Sequence, residues 1–331
     1  MNKRPEMIIA RQPSEVPFSK NSVVTVGSFD GVHLAHQAVL QAVVERARRR
    51  GGRSVAVTFE PHPKQVLSHD GVPITLLSTL EERIALCDEL GLDLLYVLEF
   101  TYEFSRQQFG EFYKRYVIEG IGVSEVVEGY DHHFGRDREG SIRELLAMGN
   151  EFDFSVMAMK PVTVENEVVG STKIRQYLLE GNVERATLLL GRPYELKGRV
   201  VRGNSRGKSL GYPTANIELP VKYKLTPQNG IYFVRVSWRG ASFYGMTSIG
   251  VRPTFEPLGG RTIEVNVLGY TGDLYGEDLH VQFLRRLRDE KKFDSVQGLI
   301  EQMDKDKTAS LALAEEYTKV LGGLQQKSVN R

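Results

Sequence analysis

The chain has 331 residues, more than one ordinary hydrophobic core takes, so at about 100–200 residues per domain it is read as two domains. With 26% charged and 41% hydrophobic residues it is no intrinsically disordered chain. Lysine plus arginine (43) against aspartate plus glutamate (42) leaves +1, which excludes a global basic field for nucleic acid or anionic lipid, so any polyanion site is local.

From the N-terminus, only a short apolar run precedes Arg11 and Pro13, less than a secretory signal needs, and no later run approaches the ~18 apolar residues of a membrane span. The expectation is a cytoplasmic protein without a membrane partner. The single cysteine, Cys87, excludes an internal disulfide or a cysteine-based zinc cluster and reads as a small buried hydrophobe.

From Val23 to about Gly191, short β-branched runs alternate with helical patterns, the mark of βαβ units and a parallel sheet. Strands are expected at Val23–Val26, Val55–Phe59, Leu94–Leu98, Val123–Glu128 and Phe154–Met159. Ser78 stands three residues before Glu81, and Ser105 three before Gln108, so capping boxes are predicted there, with further helices over 171–180 and 183–190.

Between the first strand and a helix running to about Arg50 lies Gly27-Ser-Phe29-Asp30-Gly-Val-His33-Leu-Ala-His36-Gln. A helix N-terminus beyond the carboxyl end of a parallel strand offers free N–H groups to a phosphate, and two histidines at i, i+3 add donors. The helical metal pair has i, i+4 spacing instead. Gly170-Ser171-Thr172-Lys173-Ile174-Arg175 opens a later helix. Capping explains its hydroxyls, but cations in a first turn call for a nearby anion, such as a triphosphate.

After Gly191-Arg192-Pro193 the texture changes to alternating segments such as Ile231–Trp238 and Thr262–Val267, with Arg239-Gly240 as a tight hairpin turn. These predict an antiparallel barrel, with helices over 293–304 and 308–321 packed on it. Gly203-Asn-Ser-Arg-Gly207-Lys208-Ser-Leu-Gly211-Tyr-Pro213-Thr214-Ala-Asn216 suits a backbone bending around phosphates, without the P-loop lysine spacing.

The HxxH turn with the later Ser-Thr-x-x-Arg resembles the nucleotidylyltransferase superfamily. GSFDGVHLAHQ, Thr58-Phe-Glu-Pro-His-Pro63 and Gly129-Tyr-Asp-His-His-Phe-Gly135 resemble the FMN adenylyltransferase module of bacterial bifunctional FAD synthetases. Pro213–Asn216, Asn229–Tyr232, Ser248–Phe255, Glu264–Val267 and Gly272–Gly276 resemble riboflavin kinases. The resemblance implies a Rossmann-like α/β domain with a parallel sheet over residues 1–186. A six-stranded all-β riboflavin kinase barrel with a C-terminal helix would follow over 187–331. It implies riboflavin and ATP giving FMN, then FMN and ATP giving FAD, with Mg²⁺.

On that pattern His33 and His36 contact ATP phosphates, with Gly27, Phe29, Asp30, Ser171, Thr172, Lys173 and Arg175 around them. Gly203, Lys208, Gly211 and Pro213 bind phosphates in the kinase, Thr214 and Asn216 take Mg²⁺, and Glu264 is the base. Phe59, Asp131 and Arg285 are the expected flavin contacts. A glutamate in an alternating strand is by default a solvent-facing residue, so family position decides for Glu264. Ala35 stands where the family usually has glycine, His132 and His133 where it has Phe and Arg, and Asn266 where it commonly has histidine. The rivals are a riboflavin kinase alone, with a degenerate nucleotide-binding N-terminal domain, and a non-catalytic flavin sensor. Expected partners are small molecules, not nucleic acid, in a monomer or weak homo-oligomer.

Overall fold

The computed structural model describes residues 5–68, 74–130, 142–203, 211–251 and 261–329, with side chains described as far as residue 319. By contacts the chain divides into two compact units, Met1–Lys173 and Ile174–Arg331.

In the first unit β1 (Ile8–Ala10), β2 (Ser22–Val26), β3 (Arg53–Glu60), β4 (Leu94–Glu99), β5 (Glu125–Glu128) and β6 (Ser155–Ala158) form one parallel sheet in the order β1-β4-β3-β2-β5-β6. Helix α1 (Leu34–Arg49) follows β2, α2 (Pro63–Leu67) and α3 (Leu80–Glu89) follow β3, and α4 (Tyr102–Ser105) and α5 (Phe109–Phe112) follow β4. Alpha5 runs on into π-helical turns over Tyr113–Ile121, and α6 (Ile142–Phe152) precedes β6. One face of the sheet buries Val24, Val57 and Val126 against Phe112, Tyr113 and Leu145, and the other buries Val23, Ala56 and Leu95 against Leu40, Val43 and Cys87. Burial on both faces is why these strands read as continuous apolar runs. The Cys87 thiol is pushed up to about 12 by that burial and behaves as an apolar group. Strand order reverses at β2, whose neighbours are β3 and β5, so a switch point lies beyond its carboxyl end.

Beta7 (Thr163–Val164) and β8 (Glu167–Val168) make a small hairpin, and α7 (Ser171–Leu179) spans the division between the units. In the second unit α8 (Val183–Leu190) leads to β9 (Tyr194–Val201), β10 (Ala215–Glu218), β11 (Gly230–Trp238), β12 (Ala241–Val251), β13 (Arg261–Val267) and β14 (Asp278–Arg288). These close an antiparallel barrel in the order β10-β13-β12-β11-β14-β9, with β9 pairing β10. The β11–β12 turn is Arg239-Gly240, both left-handed, as the alternation on either side predicts. Alternate residues Ile263, Val265 and Val267 are buried while Glu264 and Asn266 between them are only partly covered. Helix α9 (Val296–Val329) packs on the barrel, its Tyr317 ring 5.7 Å from that of Phe233.

Three expectations change, and one run given no element from the sequence is a strand. The capping box of α3 is Thr79 with Glu82, one residue later than predicted, because the Ser78 hydroxyl is engaged with Asp30 and Gly31. Ser105 ends α4 and its hydroxyl donates to the Tyr102 carbonyl, so it caps nothing; Gln108 instead precedes α5. The two predicted C-terminal helices are one, since Thr308 bonds back to the Asp304 carbonyl within the helical ladder. The apolar run before Arg11 is itself a strand, β1, paired with β4.

Candidate functional site

The β2–α1 turn is unusually bent. Phe29 (φ 48°), Gly31 (φ 82°) and Val32 (φ 37°) are all left-handed. Such a conformation costs a bulky residue about 1–3 kcal/mol and persists only where neighbours over-determine it. Those neighbours are polar and buried. The Asp30 carboxylate accepts from the Leu77 amide at 3.1 Å, the Ser78 amide at 3.0 Å and the Ser78 hydroxyl at 3.2 Å. The Gly31 amide donates to the Ser78 hydroxyl at 2.7 Å, and a Cβ on Gly31 would lie 2.9 Å from Leu77 Cδ1. Arg83, 1% exposed, donates from Nη1 to the carbonyls of Ser28 (3.1 Å) and Phe59 (3.2 Å) and to the Thr58 hydroxyl (3.1 Å), and from Nη2 to Glu60. The Gly27 amide donates to the Val57 carbonyl.

Above this brace His33 caps α1, its Nδ1 accepting from the His36 amide at 3.4 Å, so a neutral His33 carries its proton on Nε2. The two imidazoles stack with centroids 3.6 Å apart, and Phe29 meets His36 edge-on at 5.3 Å. Burial first, then the neighbouring His33 and His62, hold His36 well below the ordinary imidazole range, so it is neutral at pH 7. Its Nδ1 is buried without a hydrogen-bond partner among the described residues. The second motif joins the first: the Ser171 hydroxyl at the start of α7 donates to the Asp30 carbonyl at 3.0 Å. Thr172 beside it is exposed and Arg175 partly buried in the same helix. Lys173 pairs with Glu167 of β8 at 2.5 Å, so an internal carboxylate already answers this first-turn cation.

Phe59 is 2% exposed, its ring among those of Phe100, Phe104 and Phe112, which makes it part of the core beneath the site. Asp131 lies outside the described residues, as does Lys208. Residues missed in the sequence are His62, Arg83, Ser78 and Glu128. His62 sits inside the Thr58–Pro63 motif, so a signal for it existed; Arg83 and Ser78 carry none, being polar positions in a helix and ahead of its cap. Glu128 ends β5 at the switch point, and burial pushes its carboxyl up to about 8.

On the barrel, Asn216 stands in register with Glu264, and Ser248 with Glu264 on its other side. Thr214 donates to Glu264 Oε2 at 3.1 Å, and Asn266 Nδ2 donates to the Pro213 carbonyl at 2.8 Å. Gly203 presses so closely on Asn216 that a Cβ would stand 2.0 Å from Nδ2. Gly211 is left-handed at φ 82°. Thus Gly203, Pro213, Thr214, Asn216 and Glu264 are gathered. Arg285 is apart from them on β14, half exposed and 3.9 Å from Glu184, while its neighbour Arg286 bonds the carbonyls of Glu180 and Asn229.

Among the described residues no helix is long and apolar enough to cross a membrane. Residues 16–173 match the family model described as FAD synthetase, and residues 190–314 match the one described as riboflavin kinase. A bifunctional riboflavin kinase/FMN adenylyltransferase of Listeria monocytogenes is 37% identical over 86% of this chain and 90% of its own length. One of Pseudomonas fluorescens is 37% identical over 90% and 94%. A crystal structure solved as a macrolide-efflux protein of Streptococcus pneumoniae is 34% identical, with a TM-score of 0.83 over 92% of this chain and 99% of that one. Matches in both halves do not favour a kinase alone beside a degenerate N-terminal domain. With both nucleotide-type turns present and relatives matched along nearly their full length, the chain belongs to the bifunctional riboflavin kinase/FMN adenylyltransferase family.

Proposed function

We propose that the β2–α1 turn with the start of α7 is the site that adenylylates FMN, and that the Thr214–Glu264 cluster of the barrel phosphorylates riboflavin. The observation that carries the first assignment is the Ser171 hydroxyl bond to the Asp30 carbonyl, which unites two motifs 141 residues apart. In this reading His33 and His36 donate to the ATP phosphates beside Gly27 and Phe29, and Asp30 acts through the loop it braces. Ser171, Thr172 and Arg175 hold the β and γ phosphates, with Lys173 adding charge. The FMN phosphate attacks the α-phosphorus in line; a new P–O bond forms, the α–β bridge breaks and pyrophosphate leaves. No protein nucleophile is needed, so rate comes from positioning and from neutralising spreading charge.

In the barrel Glu264 takes the proton of the ribityl terminal hydroxyl as that oxygen attacks the γ-phosphorus, and ADP leaves. The Thr214 bond to Glu264 supports a shared role for the two. Mg²⁺ fits the hard oxygens of Thr214 and Asn216, and the close approach of Gly203 to the Asn216 amide leaves no room for a side chain at that position. When bound, the ion neutralises phosphate charge. Gly203, Lys208, Gly211 and Pro213 line the phosphates, and Asp131 and Arg285 belong to the flavin contacts. We assign modules 1–186 and 187–331 to the two steps, in a cytoplasmic monomer or weak homo-oligomer.

Purified protein given riboflavin, ATP and Mg²⁺ should yield FMN and then FAD by chromatography, and FAD directly when given FMN. FMN without FAD under both conditions would withdraw the first assignment.

A further inference from the structure

The limb leading into β10 reaches the kinase cluster through Tyr212, a residue 6% exposed between exposed Gly211 and Pro213. Its hydroxyl donates to Asp304 Oδ1 on α9, and Lys307, one turn along, lies 5.7 Å from its ring centroid. Asp304 sits on a part of α9 anchored independently of Tyr212. Two residues on, Asp306 receives Arg288 of β14 through Nε at 3.0 Å to both oxygens and through Nη2 at 2.7 Å to Oδ2, and Gln302 adds a bond of 2.9 Å. A buried bidentate guanidinium–carboxylate pair is among the strongest and most directional of side-chain contacts.

Three successive residues of the limb are therefore tied down. Tyr212 is held by α9, the Pro213 carbonyl by Asn266, and Thr214 by Glu264. The last two partners lie on the same strand, β13, and the pairing of β10 with β9 begins only at Asn216, so upstream of it β13 alone would leave the limb free to pivot. A third point off the strand removes the pivot.

We infer that Tyr212 and Asp304 are positioning residues for riboflavin phosphorylation, through which the C-terminal helix sets where Thr214 stands against Glu264. This rests on the assignment of Thr214 and Glu264 to the kinase site. Tyr212→Phe keeps the ring, its burial and the Lys307 contact and removes only the hydroxyl. Misplacement by about 1 Å can cost 10²-fold, so kcat for FMN formation should fall by roughly 10- to 100-fold while KM for riboflavin stays within about twofold. Amide hydrogen exchange over residues 211–216 should quicken without nucleotide or metal present. Asp304→Ala should do the same and the double variant no worse, whereas Asp304→Asn, which keeps an acceptor oxygen, should restore most of kcat. FAD formation from added FMN is the internal control and should not move.

A Tyr212→Phe variant with wild-type kcat and unchanged exchange overturns the inference and leaves Tyr212 a packing residue. Glu264→Gln, measured beside it, separates the two levels. If Glu264→Gln is fully active, the site assignment falls and this inference with it; if it is blocked while Tyr212→Phe is fully active, this inference falls alone.

Discussion

The β2–α1 turn of the first unit and the limb entering β10 of the second both carry phosphate-type motifs, yet they are held by different means. The first is strained at Phe29 and Val32 and locked by buried charges, Asp30 under its tip and Arg83 under its base. The second is held by single hydrogen bonds, the Pro213 carbonyl accepting from Asn266 while Thr214 donates to Glu264 and Tyr212 to Asp304. Removing one member of a buried charged set costs about 3–5 kcal/mol, because the partners are left desolvated and unpaired. A single bond of the second kind contributes about 0.5–1.5 kcal/mol between neutral groups and about 1.5–3 kcal/mol to a carboxylate. Geometry at the first site is therefore set with the fold of its domain, while that at the second can be shifted by one side chain at a smaller loss of stability.

Four substitutions test this difference. The largest effect is expected at Glu264, where Glu264→Gln keeps shape but cannot take the hydroxyl proton, so riboflavin phosphorylation should drop by roughly 10²–10⁴-fold. Stability and conversion of added FMN to FAD should be nearly unchanged, and FMN formation at the wild-type rate would return Glu264 to an ordinary strand residue.

Next comes His36→Ala, which removes a neutral donor stacked on His33 and should lower FAD formation by about 10²–10³-fold with kinase activity kept. Equal loss of both activities would contradict two separate sites.

The third concerns Glu128, whose carboxyl burial pushes up to about 8 in the folded chain. A raised folded value means that the native state binds more protons than the unfolded state between about pH 4.5 and 8. The contribution to stability is thus fully present below the unfolded value and is lost as pH rises through the folded one. Glu128→Gln should flatten that slope and gain on the order of 3 kcal/mol over the wild type above pH 8, read by denaturant unfolding across pH. Parallel pH profiles for the two proteins would refute it.

The smallest effect is expected at Ala35, already helical in the first turn of α1. Ala35→Gly should change FAD formation by less than about threefold and cost up to about 1 kcal/mol in helix stability. A variant that gained FAD synthesis absent from the wild type would show that the methyl obstructs phosphate.

Much of this architecture is legible in the sequence. Continuous apolar runs such as Val55–Phe59 showed a doubly covered parallel sheet, and alternation in Thr262–Val267 showed a barrel strand with Glu264 on the less buried side. Cap positions were off where the hydroxyl had another partner, distant for Ser78 (Asp30) and local for Ser105 (the Tyr102 carbonyl). Lys173 in a helix first turn calls for an anion, and Glu167 of a hairpin too short to recognise supplies one internally.

The class of each domain, the position of both motifs on their elements and the family were legible in the sequence, because periodicity, glycine placement and motif strings are local along the chain. Which polar residue braces the loop and which is left for the site depended on long-range packing. Asp30 and His36 are six residues apart in one motif, but the first is spent on Leu77 and Ser78 while the second keeps Nδ1 unbonded among the described residues. Arg83 joins Ser28 across 55 residues, and Tyr212 joins Asp304 across 92. Such pairings depend on how far elements are brought together by burial of their apolar faces, and a hydrogen bond forms only within about 3.5 Å, a distance that no spacing along the chain encodes.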